Sequence, residues 1–316
     1  MIQIVEYNPG EDNLFESSLD KMGFENLKLI TCIHPSPQDF KQLSEQLKLP
    51  STTLHQAADD HERPRIYDMD NYTQMIFKSP SKKNEKLRVY SFAVFLSENL
   101  LLILSRHDIQ GLHELVSLDP EVLKPYFRQG TTNLLYELLE KVMDDYFKYH
   151  EDLGNSINYI EDQMVDSSKP KNLHGVFKLK TSLIYFNKAL SVNRDVIIAL
   201  EKGLAKHANP EIIPKFRLVY NDILQLIDVT GTDREIVTGA IEIYMTSVSN
   251  SLNISMKKMS AWASLILLPT FITGLYGMNF RFMPEIMWKY GYVWSLGLMV
   301  LSVVGLYLIF KKNKYL

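Results

Sequence analysis

Pro269-Thr270-Phe271-Ile272-Thr273-Gly274-Leu275-Tyr276-Gly277-Met278-Asn279-Phe280 closes an apolar run that begins near Met259, and a second apolar run, Tyr292 to Phe310, carries the chain almost to its end. The second run has 19 residues and no charged side chain, which at about 1.5 Å of helical rise per residue nearly spans a bilayer core of roughly 30 Å. The first uncharged stretch, Ser260 to Tyr276, has 17 residues and stands at the lower limit for spanning. It also carries Ser260, Ser264, Pro269, Thr270, Thr273 and Gly274. Hydroxyls and a mid-helix proline are costly against lipid, because the freed carbonyl and the side-chain oxygens need partners there. Two membrane helices joined by a short loop are expected, the first facing protein or water on one side and shielded from lipid by the second.

The flanks orient this hairpin. Lys257 and Lys258 precede the first span, and Lys311, Lys312 and Lys314 follow the second. Both flanks then lie on the positive, cytoplasmic side, with the loop Arg281 to Gly291 outside. Met1-Ile2-Gln3-Ile4 leads at once into a charged, globular pattern, so no signal peptide is expected and the N-terminal part stays in the cytoplasm of a cell-membrane protein. From residue 253 onward seven Lys and Arg face one acid, Glu285; the first 252 residues hold 27 basic and 36 acidic groups. An acidic soluble part argues against nucleic-acid binding and suits a protein that handles cations. The single cysteine, Cys32, excludes an internal disulfide and a Cys-rich metal site; in its strand-like setting it is expected to be a small buried hydrophobe.

At 316 residues the chain allows about two domains. Residues 1–130 have the pattern of an α/β domain. Met1 to Tyr7, Leu27 to Ile33, Thr73 to Ser79, Leu87 to Leu96 and Leu100 to Ser105 are predicted strands, with parallel and antiparallel pairing both open. Ser36 caps a helix with Pro37 at its first position and Asp39 in its first turn, and a second capped helix starts near Ser51. Asp59-Asp60-His61-Glu62-Arg63-Pro64-Arg65 invites a metal site, but consecutive residues point in different directions, and a solvated helix end is expected instead. Lys78 to Glu85 is expected to be a hairpin loop with a solvated basic tip.

Residues 131–210 turn helical. Leu134, Leu135, Leu138, Leu139, Val142, Met143, Tyr146 and Phe147 form one apolar stripe, and a partner helix returns through Val176 to Leu204 after a break at Asp166-Ser167-Ser168-Lys169-Pro170. Glu140, Asp144, Asp145, Glu151, Asp152, Glu161 and Asp162 are expected on solvent faces.

After Pro214 no proline occurs until Pro269, so one helix of about 60 residues and near 90 Å is predicted from Lys215 to Tyr276. A helix this long needs copies of itself to pack against. Alternate steps of three and four give a polar or small seam: Thr232, Glu235, Gly239, Glu242, Thr246, Ser249, Asn253, Met256, Ser260, Ala263, Leu267, Thr270 and Gly274. Val237, Ile241, Tyr244, Val248, Leu252 and Met259 form a neighbouring apolar seam. A dry coiled coil would centre its apolar residues. A ring of helices packed by the apolar seam, with the polar seam facing a wet pore, explains both.

Tyr276-Gly277-Met278-Asn279-Phe280, Met283-Pro284-Glu285, Trp288, the Gly291-Tyr292 pair and the Lys-rich end together resemble the CorA magnesium transporter family. The resemblance is strongest from Ser247 to Leu316 and covers the whole layout. It implies an α+β membrane protein, a funnel-shaped homopentamer with an N-terminal cytoplasmic α/β domain, and magnesium, with cobalt as a second candidate, as the transported ion. The implied layout is a stalk helix at 211–258, a pore-lining membrane helix at 259–279, an outer loop at 280–291, a second membrane helix at 292–310 and a basic cytoplasmic tail at 311–316. Gly277, Met278 and Asn279 would form the outer mouth, with Asn279 side chains and Gly277 carbonyls meeting the ion. Asn253, Met256, Leu267, Thr270 and Gly274 would line the conduit, Met256 and Leu267 as hydrophobic constrictions. Magnesium gives up water reluctantly, so neutral amide acceptors suit a hydrated ion. Glu285 would concentrate cations, or pair with Lys289.

The sequence departs from the family pattern at three places. Arg281 stands where several relatives have an acid, Pro269 lies one place late, and Leu218 stands where a regulatory Asp often binds intracellular magnesium, with Asp222 nearby as a substitute. A zinc-handling branch of the superfamily usually has Ile at the Met278 position, so the triplet favours magnesium or cobalt over zinc. A membrane-anchored enzyme or sensor finds no phosphate loop, His-x-x-His pair or nucleophile motif; neither an enzyme nor a resident cofactor is expected.

Overall fold

In the computed structural model the β-branched and aromatic runs build one seven-stranded sheet: β1 (Ile2–Asn8), β2 (Asn13–Glu16), β3 (Leu27–Ile33), β4 (Arg65–Asp68), β5 (Thr73–Lys83), β6 (Lys86–Leu96) and β7 (Leu100–Ser105), ordered β2-β1-β3-β7-β6-β5-β4. The structure describes residues 2–23, 25–60, 62–83, 86–165, 173–281, 283–313 and 315, of which 82, 83, 86, 161–165 and 173 are described by backbone alone. Among the described residues only the β3–β7 pair is parallel, so the sheet is mixed. It belongs to the first of two compact units, Met1–Ala240 and Ile241–Leu316.

Strand alternation gives the sheet two buried faces. One packs Ile4, Ile30, Cys32, Ala93, Phe95, Leu102 and Leu104 against Phe40 and Leu43 of α1 (Pro37–Leu47) and Leu54 of α2 (Ser51–Ala57). Cys32 is fully buried there and its thiol is pushed up to about 11 by burial, an inert hydrophobe as expected. The other face is covered by α5 (Thr131–Val165) and α6 (Leu173–Glu201), whose apolar stripes bury Leu134, Leu138, Val142, Tyr146, Leu183, Phe186 and Leu190. The α1 cap is a full capping box: Ser36 Oγ accepts from Asp39 N, and Asp39 Oδ2 accepts from Ser36 N at 2.8 Å. Ser51 differs from expectation, being the first helical residue behind Pro50, with no side-chain cap.

The segment from Lys78 to Lys83 is strand, not loop. β5 pairs with β6 from Thr73↔Leu96 to Lys83↔Lys86, and residues 84–85 lie outside the described residues. Pro80 has no N–H to donate to a ladder. However, Lys78 N–H and C=O face the edge that β4 does not reach, where Asn193 takes both (2.8 Å each). Pro80, two residues on, turns its missing donor toward that same edge, where nothing is lost. Lys78 Nζ donates to Ser91 Oγ and to the Asp60 carbonyl, and burial lowers its pKa. The Asp59–Arg65 segment is likewise less solvated than expected: Asp60 Oδ2 lies 2.7 Å from His107 Nε2, and Glu62 pairs with Arg65. His61, the break at 166–170 and the side chains of Glu161 and Asp162 lie outside the described residues.

Asp145 also departs from expectation. It is buried beside α3 (Gln110–Val116), where its Oδ2 accepts from Gly111 N at 2.8 Å. Gly111 lies so close to α5 that a Cβ there would stand 2.8–2.9 Å from backbone atoms of Lys141 and Val142. Burial pushes the Asp145 carboxyl from its ordinary 3.8 up to about 6, the Gly111 N–H pulling the other way. A raised carboxyl favours the fold while protonated, so this contribution is complete below about pH 4 and is lost as pH rises through 6. Asp145→Asn, neutral throughout, is expected to gain stability relative to wild type between pH 5 and 8; thermal unfolding of the full chain at both pH values measures it.

α4 (Pro120–Arg128) leads into α5, and α7 (Phe216–Tyr276) matches the predicted long helix. Its beginning packs in the first unit through Phe216, Val219, Ile223, Leu226, Thr230 and Val237, and Asp233 Oδ2 meets His150 Nε2 of α5 at 2.9 Å. The second unit holds the remainder of α7 and α8 (Gly291–Lys312).

Candidate functional site

Among the described residues two helices are long and apolar enough to cross a membrane, one ending at Tyr276 and the other Gly291–Lys312. Within the second unit Ala261 and Leu265 of α7 are buried, and Ser264, Leu268, Pro269, Ile272 and Tyr276 half-buried, at helical spacing. Gly291 and Ser295 of α8 are buried with them. The seam of Ser260, Ala263, Leu267, Thr270 and Gly274 lies on a different face and is exposed throughout, as are Asn253 and Met256 below it. The end of α8 returns to the start of the hairpin, where Lys257 Nζ sits 5.9 Å from the Tyr315 ring.

The hydroxyls on α7 find partners inside the helix itself. Ser264 donates to Ser260 O (2.9 Å), Thr270 to Ile266 O (2.8 Å), and Thr273 to Pro269 O (2.9 Å). These back-bonds remove the expected cost of bare hydroxyls. They also commit the Thr270 proton to the backbone, so its oxygen presents lone pairs to the exposed face.

α7 ends at Tyr276, and the chain turns through Gly277 N→Thr273 O (2.9 Å) and Met278 N→Leu275 O (3.3 Å) into Asn279. The last carbonyls of a helix carry its negative dipole end, worth roughly half an elementary charge. Gly277, Met278 and Asn279 therefore form an exposed turn of neutral oxygen acceptors at an end that favours cations.

The loop beyond is a compact set of turns: Ile286 N→Met283 O, Trp288 N→Glu285 O and Gly291 N→Trp288 O (2.9 Å). Trp288 packs edge-on against Tyr290 and Trp294, at 6.2 and 6.3 Å between centroids. Gly291 is held against this loop so closely that a Cβ would overlap the Glu285 carbonyl oxygen. That role is invisible in the sequence, where Gly291 looks like an ordinary helix start. Arg281, Glu285 and Lys289 are all exposed, and among the described residues no ion pair joins Glu285 to Lys289.

Leu218 is 56% exposed on α7. Asp222, one turn on, has its carboxyl raised by burial and then by Asp144 of α5. Glu140 is raised by burial too, and one of its oxygens is buried without a partner. Among the described residues no three His, Cys, Asp or Glu side chains are disposed to hold a metal ion.

Residues 25–312 match the family described as CorA-like Mg2+ transporter protein. The cobalt/magnesium transport protein CorA of Methanocaldococcus jannaschii is 27% identical over 97% of both chains. That of Thermotoga maritima is 30% identical over 81% of this chain and 74% of its own. The complete structure of the CorA magnesium transporter from Methanocaldococcus jannaschii superposes with a TM-score of 0.88 at 25% identity, covering 100% of this chain and 99% of the other.

Proposed function

The chain belongs to the CorA-like magnesium transporter family, and from that membership we propose that it carries magnesium, and with it cobalt, across a cell membrane as the hydrated ion. The observation that carries the mechanism is the exposed small and polar face of α7 that ends in the Gly277-Met278-Asn279 turn. Its apolar neighbours past the first unit, Leu252 and Met259, are 60% and 73% exposed. Burying them against copies of the chain is worth about 1.5–3 kcal/mol for each large side chain. A homopentamer with both termini in the cytoplasm satisfies these residues and the lysine flanks together.

In this assembly the Asn279 amide oxygens and Gly277 carbonyls ring the outer mouth and accept hydrogen bonds from the water shell of the ion. Magnesium keeps its first-shell water, so the acceptors act at outer-shell distance and need no cage. The α7 C-termini add their dipoles to the attraction. Gly274 and Thr270 continue the polar wall, and Leu267 and Met256 form the apolar constrictions that close by excluding water. Asn253, Ser260 and Ala263 complete the wall. Reconstituted in liposomes, the wild-type chain should pass magnesium and cobalt down a gradient, read with an entrapped metal indicator; the absence of flux for either ion, with intact oligomer, would overturn the proposal.

The outer segment carries two cations, Arg281 and Lys289, against Glu285. A ring of Arg281 just past the mouth repels divalent ions through a potential that salt screens over about 8–10 Å. Arg281→Glu is expected to lower the half-saturating magnesium concentration several-fold at low ionic strength, and the difference from wild type should vanish at high salt. Flux titrations at two salt concentrations test it.

A further inference from the structure

Lys257 and Lys258 lie at the start of the apolar part of α7, Lys311 and Lys312 at the end of α8, and all four are exposed. The 5.9 Å approach of Lys257 Nζ to the Tyr315 ring brings these two ends together. Tyr315 is itself held by its N–H to Phe310 O (2.9 Å) and by a tilted ring contact with Phe310 at 5.9 Å. No acid lies near in sequence: between Glu242 and the C-terminus the one carboxylate side chain is Glu285, at the opposite end of the hairpin. Among the described residues none of the four lysines has an ion pair. Leu301, Val304 and Leu308 of α8 are 71%, 49% and 59% exposed, an apolar face running up to the lysines.

We infer that this end of the hairpin is a binding site for an anionic phospholipid. The lysines take the headgroup phosphate, Phe310 and Tyr315 lie at the level of the interface, and the acyl chains follow Leu301, Val304 and Leu308. Charge complementarity selects this occupant. Four unpaired cations at the end of two spans sit at headgroup depth, where anionic lipid is the available counter-charge, and aromatic rings favour the same depth. The inference rests on the membrane placement of α7 and α8 and not on which ion crosses.

The test uses the full chain, delipidated in a non-ionic detergent, with bound lipid counted by native mass spectrometry. Phosphatidylglycerol and phosphatidylcholine of identical acyl chains are added in competition, so the measurement is independent of flux. Wild type should retain phosphatidylglycerol over phosphatidylcholine by roughly tenfold or more. The Lys257→Gln/Lys258→Gln/Lys311→Gln/Lys312→Gln variant should bind the two equally. Lys311→Gln/Lys312→Gln, which keeps Lys257 and Lys258 to orient insertion, should show an intermediate preference. Equal retention by wild type, or an undiminished preference in the paired variant, overturns the proposal. Displacement of the lipid by inorganic phosphate overturns it as well, by revealing a site for free anions.

Discussion

Asn279→Ala is expected to reduce magnesium flux to that of protein-free vesicles while the chain still inserts and assembles. The side chain is exposed on an irregular turn just past the end of α7, so its truncation removes nothing from either packed unit. In the proposed assembly it removes an amide acceptor from every copy around the mouth. At about 1 kcal/mol for each net hydrogen bond, the five acceptors lost in the proposed pentamer weaken ion occupancy by more than a thousandfold. Asn279→Asp separates acceptance from release. A ring of carboxylates holds a divalent ion more tightly than amides do, and tight holding slows exit. This variant should bind magnesium at lower concentration but pass it more slowly. Size-exclusion profiles matched to wild type establish assembly. Undiminished flux in Asn279→Ala would remove this residue from the mouth.

The parts of this molecule that were legible in the sequence are those fixed by local periodicity. The long helix was readable because no proline interrupts the chain from Phe216 to Leu268 and the apolar repeat continues past Pro269 to Tyr276. Cys32 and the α1 cap were readable from immediate neighbours. Illegible were features made by partners distant in the chain. Lys78 looked like a loop cation because its acceptors, Ser91 and the Asp60 carbonyl, and the Asn193 amide that caps its backbone are 13, 18 and 115 residues away. Asp145 looked like part of a solvated acidic face because nothing in its helix announces that α3 lies against it. β2 and β4, of four residues each, are too short for alternation to reveal. At the mouth the triplet was visible, while the loop behind it was not: its form depends on the contact between Gly291 and Glu285.

That contact sets the second large effect. Gly291→Ala is expected to lower magnesium flux by about ten- to a hundredfold with the first unit still folded. A Cβ at this position would overlap the Glu285 carbonyl oxygen and stand 3.1 Å from its carbon. Both partners are backbone, so no side chain can swing aside. Either the turn through Glu285 and Trp288 opens or α8 slides, and overpacking of this kind costs about 1–3 kcal/mol, which is about ten- to a hundredfold in the population of the competent mouth. The loop joins Asn279 to α8 in only eleven intervening residues, so displacement at its far end is passed to the mouth. Gly297 and Gly305, on the same helix, have no atom within 4 Å of an added Cβ. Gly297→Ala and Gly305→Ala therefore serve as controls for helix propensity, where alanine is favoured by about 1 kcal/mol. If flux in Gly291→Ala equals that of both controls, the loop does not set the geometry of the mouth. Selective loss at Gly291 would show that the acceptors at Asn279 are held in place by the backbone packed behind them.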